Sequence, residues 1–230
     1  MRRGRASRAA LVYAAGVGLD WEPLATPKRG YERQFVELFR KLALAHPSRR
    51  PQLQAWFADV AEPPFARLGA PRIGHDEATE AWLHARVARS NRLAELDQIR
   101  ADLHGYHVLE LLPPCDGFPV YSRCKEDDDL ERYAFNAALV VEHAEVLGPA
   151  LVARAGESML VDAHADFAAR LTDVANRYWL DHGLPEHVAT IREPVFAEGT
   201  PERVGHVLYA AAKWCTYWSE RGHGLAVSRS

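Results

Sequence analysis

Apolar residues return every three or four positions along most of this chain, and a chain patterned in that way buries itself as packed helices. The clearest run opens at Glu32, where Phe35, Leu38, Phe39, Leu42 and Ala45 share one helical face until Pro47 stops the run. A shorter helix is predicted from Pro51 to Ala61, with Leu53, Trp56, Phe57 and Val60 inward and Pro63-Pro64 closing it. The proline- and glycine-rich stretch 63–74 reads as a structured loop. A long helix is then expected over 76–104, with Asp76, Glu77 and Glu80 in its first turns, Trp82, Ala85, Leu93, Leu96, Ile99 and Leu103 along its stripe, and Gly105 at its end.

The β signal is confined to mid-chain. Residues 106–112 and 118–122 are two short β-rich runs joined by Pro-Pro-Cys-Asp-Gly, the composition of a hairpin, with Pro119 placing the second arm at an edge. Three further helices are expected. One covers 128–147, stopped by Gly148-Pro149, and a short helix at 149–155 follows it. The next is capped by Ser158 and runs to Gly183 through Leu160, Ala163, Phe167, Leu171, Val174 and Tyr178. The last has Thr200 at the N-cap and Pro201 at the first helical position, the favoured arrangement at a helix start. Its stripe is Val204, Val207, Leu208, Ala211, Cys215 and Trp218, with Trp214 and Tyr217 off that stripe. The fold expected is therefore mainly α: a single-domain helical bundle of six or seven helices with one small β-hairpin at 106–122. A basic N-terminal segment (1–30) precedes one α-rich domain (31–230).

Composition narrows the class. The 230 residues are 48% hydrophobic and 26% charged, the balance of a soluble globular protein, which excludes disordered, collagen-like and disulfide-framework chains. No apolar run approaches the roughly 20 residues that span a bilayer, so no membrane role is expected. The net charge of −3 is unevenly divided: residues 1–50 carry 11 Lys and Arg against 4 Asp and Glu, a net of +7, and the remainder carries −10. A basic start could seek phosphates. No basic stripe recurs in later helices and no reading motif is present, which argues against nucleic acid. The basic start is better matched to the acidic body or to a neighbouring subunit. Arg outnumbers Lys 24 to 4, the codon bias of a GC-rich bacterial genome.

Cys115, Cys124 and Cys215 make no CxxC pair. Arg2, Arg3, Arg5 and Arg8 before the apolar run Ala9–Leu19 resemble a short targeting segment, but Gly16 and Gly18 interrupt the run and no A-x-A site follows. An odd thiol count and this weak leader favour reduced cysteines in a cytoplasm.

GxSxG, HExxH, P-loop and GxGxxG patterns are all missing. The segment 104–121 gathers the residue types from which a nucleophile–base pair is built, and His107, Cys115, Asp116 and Tyr121 are the catalytic candidates. Helical bundles assemble transition-metal sites from carboxylates and histidines on facing helices. Glu77 and His84, two turns apart, together with Glu142, Glu202 and His206, are the metal candidates, although the paired Glu-x-x-His of di-iron bundles is missing. Asp162, His164 and Asp166 alternate at spacings of two and fan around a helix, so they do not chelate together. The acidic run Glu126–Asp129 lacks EF-hand spacing.

Two functions stand as expectations. The first is a soluble binding or interaction protein, a bacterial accessory or neutralising partner with an acidic body, acting on a protein partner or by self-association. The second is a metal-dependent or thiol-based enzyme, using a transition metal as cofactor, with its site between the helices and segment 104–121.

Overall fold

The computed structural model describes residues 18–112, 120–122, 133–191 and 194–229. The chain is mainly α with a small antiparallel sheet. It divides into two compact units: one of Met1–Leu24, Asp116–Arg123 and Tyr133–Ser230, the other of Ala25–Cys115 and Cys124–Arg132.

The first unit is built on a three-stranded sheet. Strand β1 (Leu19–Pro23) lies in the middle, between β4 (Phe135–Asn136) and β5 (Leu225–Arg229), and both neighbours are antiparallel to it. Leu19, Trp21 and Pro23 of β1 are buried while Asp20 and Glu22 are half-buried, the period-two alternation of a strand with one covered face. That strand falls within the stretch read from sequence as a basic N-terminal segment. Trp21 is fully buried and its indole Nε1 donates to the Ala155 carbonyl at 2.8 Å. Its ring meets Phe135 at 5.7 Å, Phe167 at 5.5 Å and Trp214 at 6.2 Å.

Against this sheet pack α6 (Ala138–Val141), α7 (Ala144–Ala155), α8 (Val161–His182) and α9 (Pro201–Glu220). The last two form the main helix pair. They run antiparallel: His164 near the start of α8 meets Trp214, and Trp179 near its end meets Tyr209. Thr200 caps α9, its hydroxyl accepting from the Arg203 N–H, with Pro201 next, as the sequence predicts. Gly183 ends α8 in the left-handed conformation at φ 60°. The α8 cap differs from expectation. Leu160 is the N-cap, and Ser158 instead accepts from the Val227 N–H of β5. Trp214, placed off the α9 stripe by its spacing, is fully buried because sheet and α8 enclose that helix on more than one side. Gly224 lies where Met159 and Leu225 exchange backbone hydrogen bonds at 2.8 Å. A Cβ there would run into the Met159 carbonyl oxygen.

The expected helix over 128–147 is interrupted. Residues 128–132 lie outside the described residues, Phe135–Asn136 form a strand, and α6 and the first turn of α7 follow. Phe135 and Trp21 face each other across the sheet, and that aromatic pairing overrides the helical spacing of Tyr133, Ala137 and Val140. Gly148, at φ 76° and ψ 161°, kinks α7 where a stop was expected, and Pro149 opens the segment that continues to Ala155.

In the second unit, β2 (Thr26–Pro27) pairs with β3 (Ala61–Glu62), and α1 (Glu32–Ala43) and α2 (Arg50–Val60) lie between them. Phe35 of α1 and Phe57 of α2 meet at 4.6 Å. The short α3 (Pro64–Leu68) occupies part of the expected loop. The single helix expected over 76–104 is two, α4 (Glu77–Arg89) and α5 (Leu96–Asp102), joined by a 3-10 turn. Between them Asn91 sits at φ 58° and the Ser90 hydroxyl donates back to the Arg86 carbonyl, local chemistry that ends a helix without glycine or proline. The break lets Trp82, Leu83 and Val87 of α4 and Leu96 and Ile99 of α5 close over Ile73 and Val108. The first arm of the expected hairpin is a single bridge, His107 to Arg72, followed by a 3-10 turn at Leu109–Leu111. Its backbone is satisfied by loop residues, Ile73 N–H to Tyr106 and Val108 N–H to Pro71. Residues 113–119 of that hairpin lie outside the described residues.

Trp21→Ala removes the ring on which the sheet and helices converge and is expected to destabilise the first unit by about 3–5 kcal/mol. Urea unfolding followed by tryptophan fluorescence checks it.

Candidate functional site

The structure brings together two residues from separate candidate sets. Tyr121 and His206 are joined by a 2.6 Å hydrogen bond between the phenol oxygen and Nδ1. Each is placed by its backbone. Asn136 of β4 donates its N–H to the Tyr121 carbonyl at 3.0 Å, and His206 lies in the second turn of α9, 2% exposed. The other ring nitrogen, Nε2, lies 2.7 Å from the Ile191 carbonyl, which can only accept. That contact puts the proton on Nε2, leaves Nδ1 as acceptor and makes Tyr121 the donor. Phe196 and Tyr121 flank the imidazole at 5.8 and 5.5 Å, and the Arg203 guanidinium lies 5.5 Å from the Tyr121 ring.

The electrostatics follow from this enclosure. Burial pushes the Tyr121 phenol up to about 12, against the opposing pull of Arg203. Burial lowers the His206 pKa, so the ring stays neutral. A neutral imidazole with both nitrogens bonded, next to a phenol that holds its proton, has no lone pair to take a substrate proton. The pair fastens residues 120–122 and the Ile191 carbonyl to α9.

The remaining candidates stand apart. His107 belongs to the second unit, half-buried, with Nδ1 3.1 Å from the Ala70 carbonyl and its ring 6.4 Å from Phe65. Cys115, Asp116 and the run Glu126–Asp129 lie outside the described residues. Glu77 and His84 are exposed on α4 in the second unit; Glu142 is exposed and Glu202 half-exposed in the first. Among the described residues no three His, Cys, Asp or Glu side chains gather closely enough to hold a metal ion, so the five metal candidates form no shared centre there. Cys215 is buried in α9, and burial raises its thiol well above the ordinary range, which suits a packing residue.

Sequence reasoning discounts His164 as a ligand and does not single out His223; both are fully buried in the first unit. His164 Nδ1 donates to the His223 carbonyl at 2.9 Å, and His223 Nδ1 donates to the Leu24 carbonyl at 2.9 Å. These two imidazoles satisfy carbonyls at the end of β1 and beyond α9 that no ladder reaches. Asp162 and Asp166 point to solvent on either side, Asp166 bonded to Arg170, as the two-residue spacing predicts. The missed signal is positional: His164 falls three residues before Phe167 and seven before Leu171, on the buried face of α8.

Compared with protein-family models, with curated proteins and with solved structures, the chain finds no match in any of the three. No helix among the described residues is long and apolar enough to cross a membrane.

Burial lowers the His164 pKa to about 4, below its unfolded value near 6.5. The unfolded chain therefore binds more protons between these values. Stability held above pH 6.5 is lost as pH falls toward 4, by about 3 kcal/mol for this group. His164→Asn, whose amide can still donate to the His223 carbonyl, is expected to flatten that loss when urea unfolding of variant and parent is compared at pH 7 and pH 5. Separately, Tyr121→Phe leaves the buried His206 Nδ1 without its donor and is expected to cost about 1–3 kcal/mol in the same assay.

Proposed function

We propose that the chain is a soluble binding protein of the bacterial cytoplasm, an accessory or neutralising partner that acts by contact with protein surfaces. One observation carries this reading. The chemically suggestive side chains that are described engage carbonyls, a phenol or solvent, whereas several large apolar side chains are exposed. Leu44 is 89% exposed, Leu180 80%, Val195 96% and Trp56 49%. Aromatic residues are enriched where proteins meet, and contiguous apolar surface marks such places. The arginine excess and the reduced-thiol expectation support the bacterial cytoplasm. Of the four catalytic candidates the two that are described, Tyr121 and His107, are held by a histidine and a backbone carbonyl and lend the enzyme reading no support.

Photo-crosslinking tests this reading. A benzophenone side chain replacing Trp56 in the full chain is expected to give a discrete adduct in a bacterial lysate, absent when the same group replaces the exposed Ala169. Leu44→Ser and Trp56→Ser are expected to leave folding stability within about 0.5 kcal/mol. Equal, diffuse labelling at both positions overturns the reading.

A further inference from the structure

Two imidazoles of the second unit stand side by side. His75, in the turn before α4, and His104, just beyond α5, have ring centres 5.5 Å apart and planes inclined by 35°. Both residues are exposed, and among the described residues neither ring makes a hydrogen bond. In this they differ from His164, His206 and His223, each of which spends a ring N–H on a carbonyl.

The backbone holds the two rings together. The Ile73 N–H donates to the Tyr106 carbonyl at 3.0 Å and the Gly105 N–H to the Ile73 carbonyl at 2.8 Å, so the segments that carry the histidines are tied within two residues of each ring. Ile73 is fully buried and anchors that tie. The His104 ring lies over Gly74, at φ 82°, where a Cβ would run into it. Glu80 fixes the same turn. One of its carboxylate oxygens accepts from the Gly74 N–H at 2.8 Å and the other from Arg100 Nε at 2.6 Å, and its charge interacts with His104. The flanking charges favour a cation. Residues 72–80 carry Asp76, Glu77 and Glu80 against Arg72. Residues 97–104 carry Asp97 and Asp102 against Arg100, which is itself paired with Glu80 and Asp97.

We propose that His75 and His104 bind one divalent transition-metal ion of the zinc, copper and nickel class, each through one ring nitrogen, with water in the remaining positions. Imidazole suits these ions, whereas calcium and magnesium take oxygen. With metal–nitrogen bonds of about 2.0–2.1 Å, two rings on a tetrahedral ion have centres about 5 Å apart, close to the spacing found here. No third His, Cys, Asp or Glu among the described residues completes the set, so the site is open and its ion exchangeable.

Copper(II) added to the full chain tests it, because copper binds such ligands most strongly and its electron spin-echo spectrum counts coordinated imidazoles. The parent is expected to take up a first equivalent bound by two imidazoles. His75→Ala and His104→Ala are each expected to weaken that equivalent at least about tenfold and to lower the count to one. His84→Ala, at an exposed histidine of α4, is expected to change neither. Far-UV circular dichroism of the metal-free variants is expected to match the parent, since both histidines are exposed; His75→Gln and His104→Gln repeat the comparison with side chains of similar size. A parent that takes up no stoichiometric copper, single variants that bind as the parent does, or two imidazoles still counted in the double variant overturn the proposal. None of these results bears on whether Trp56 meets a protein partner.

Discussion

An indole N–H reaching a helix carbonyl from the middle of a three-stranded sheet fixes the geometry of the first unit. Trp21 is flanked by Phe135 from the neighbouring strand, Phe167 from α8 and Trp214 from α9, while Nε1 ties β1 to the end of α7 through Ala155. Strand and helices therefore share one set of ring contacts. Where each helix can lie is decided by the space around that ring. The bond to Ala155 also satisfies the one polar atom that such a large side chain brings into the core.

The same economy governs the buried histidines. His164, His206 and His223 are residue types associated with proton transfer, yet each donates a ring N–H to a carbonyl left over where the chain turns or a strand ends. Enclosure keeps the first two neutral. An imidazole locked in one tautomer by a carbonyl, with its remaining nitrogen enclosed, is a strut. Among the described residues, large apolar side chains that the two cores do not absorb stand at the surface.

The helices were legible where one face alone is buried. The run from Phe35 to Leu42, the Thr200-Pro201 start of α9 and the Gly183 end of α8 each rest on a local rule, and the structure keeps all three. Failures came where a distant partner decides. Nothing near Leu19–Pro23 announces a strand, because β1 is specified by β4 and β5 far away in sequence. Phe135–Asn136 reads as helix until Trp21 is placed opposite. The break at Asn91 has a local cause, but asparagine in the left-handed region is a weak signal beside the strong stripe on either side. Of the candidate site, the Tyr121–His206 contact joins residues 85 apart, so spacing could nominate each and could not pair them.

The pairing of β1 with β5 governs the order in which the polypeptide matures. In chain order β1 precedes the second unit, and its longest hydrogen-bonded neighbour, Leu225–Arg229, follows it. Most of the second unit, Ala25–Cys115, emerges in between and consists of helices and short-range pairings that form as they appear. The nascent chain therefore carries a finished insert inside a host that is still open, with the indole of β1 waiting uncovered. The host's sheet is closed only once Leu225–Arg229 has followed the insert.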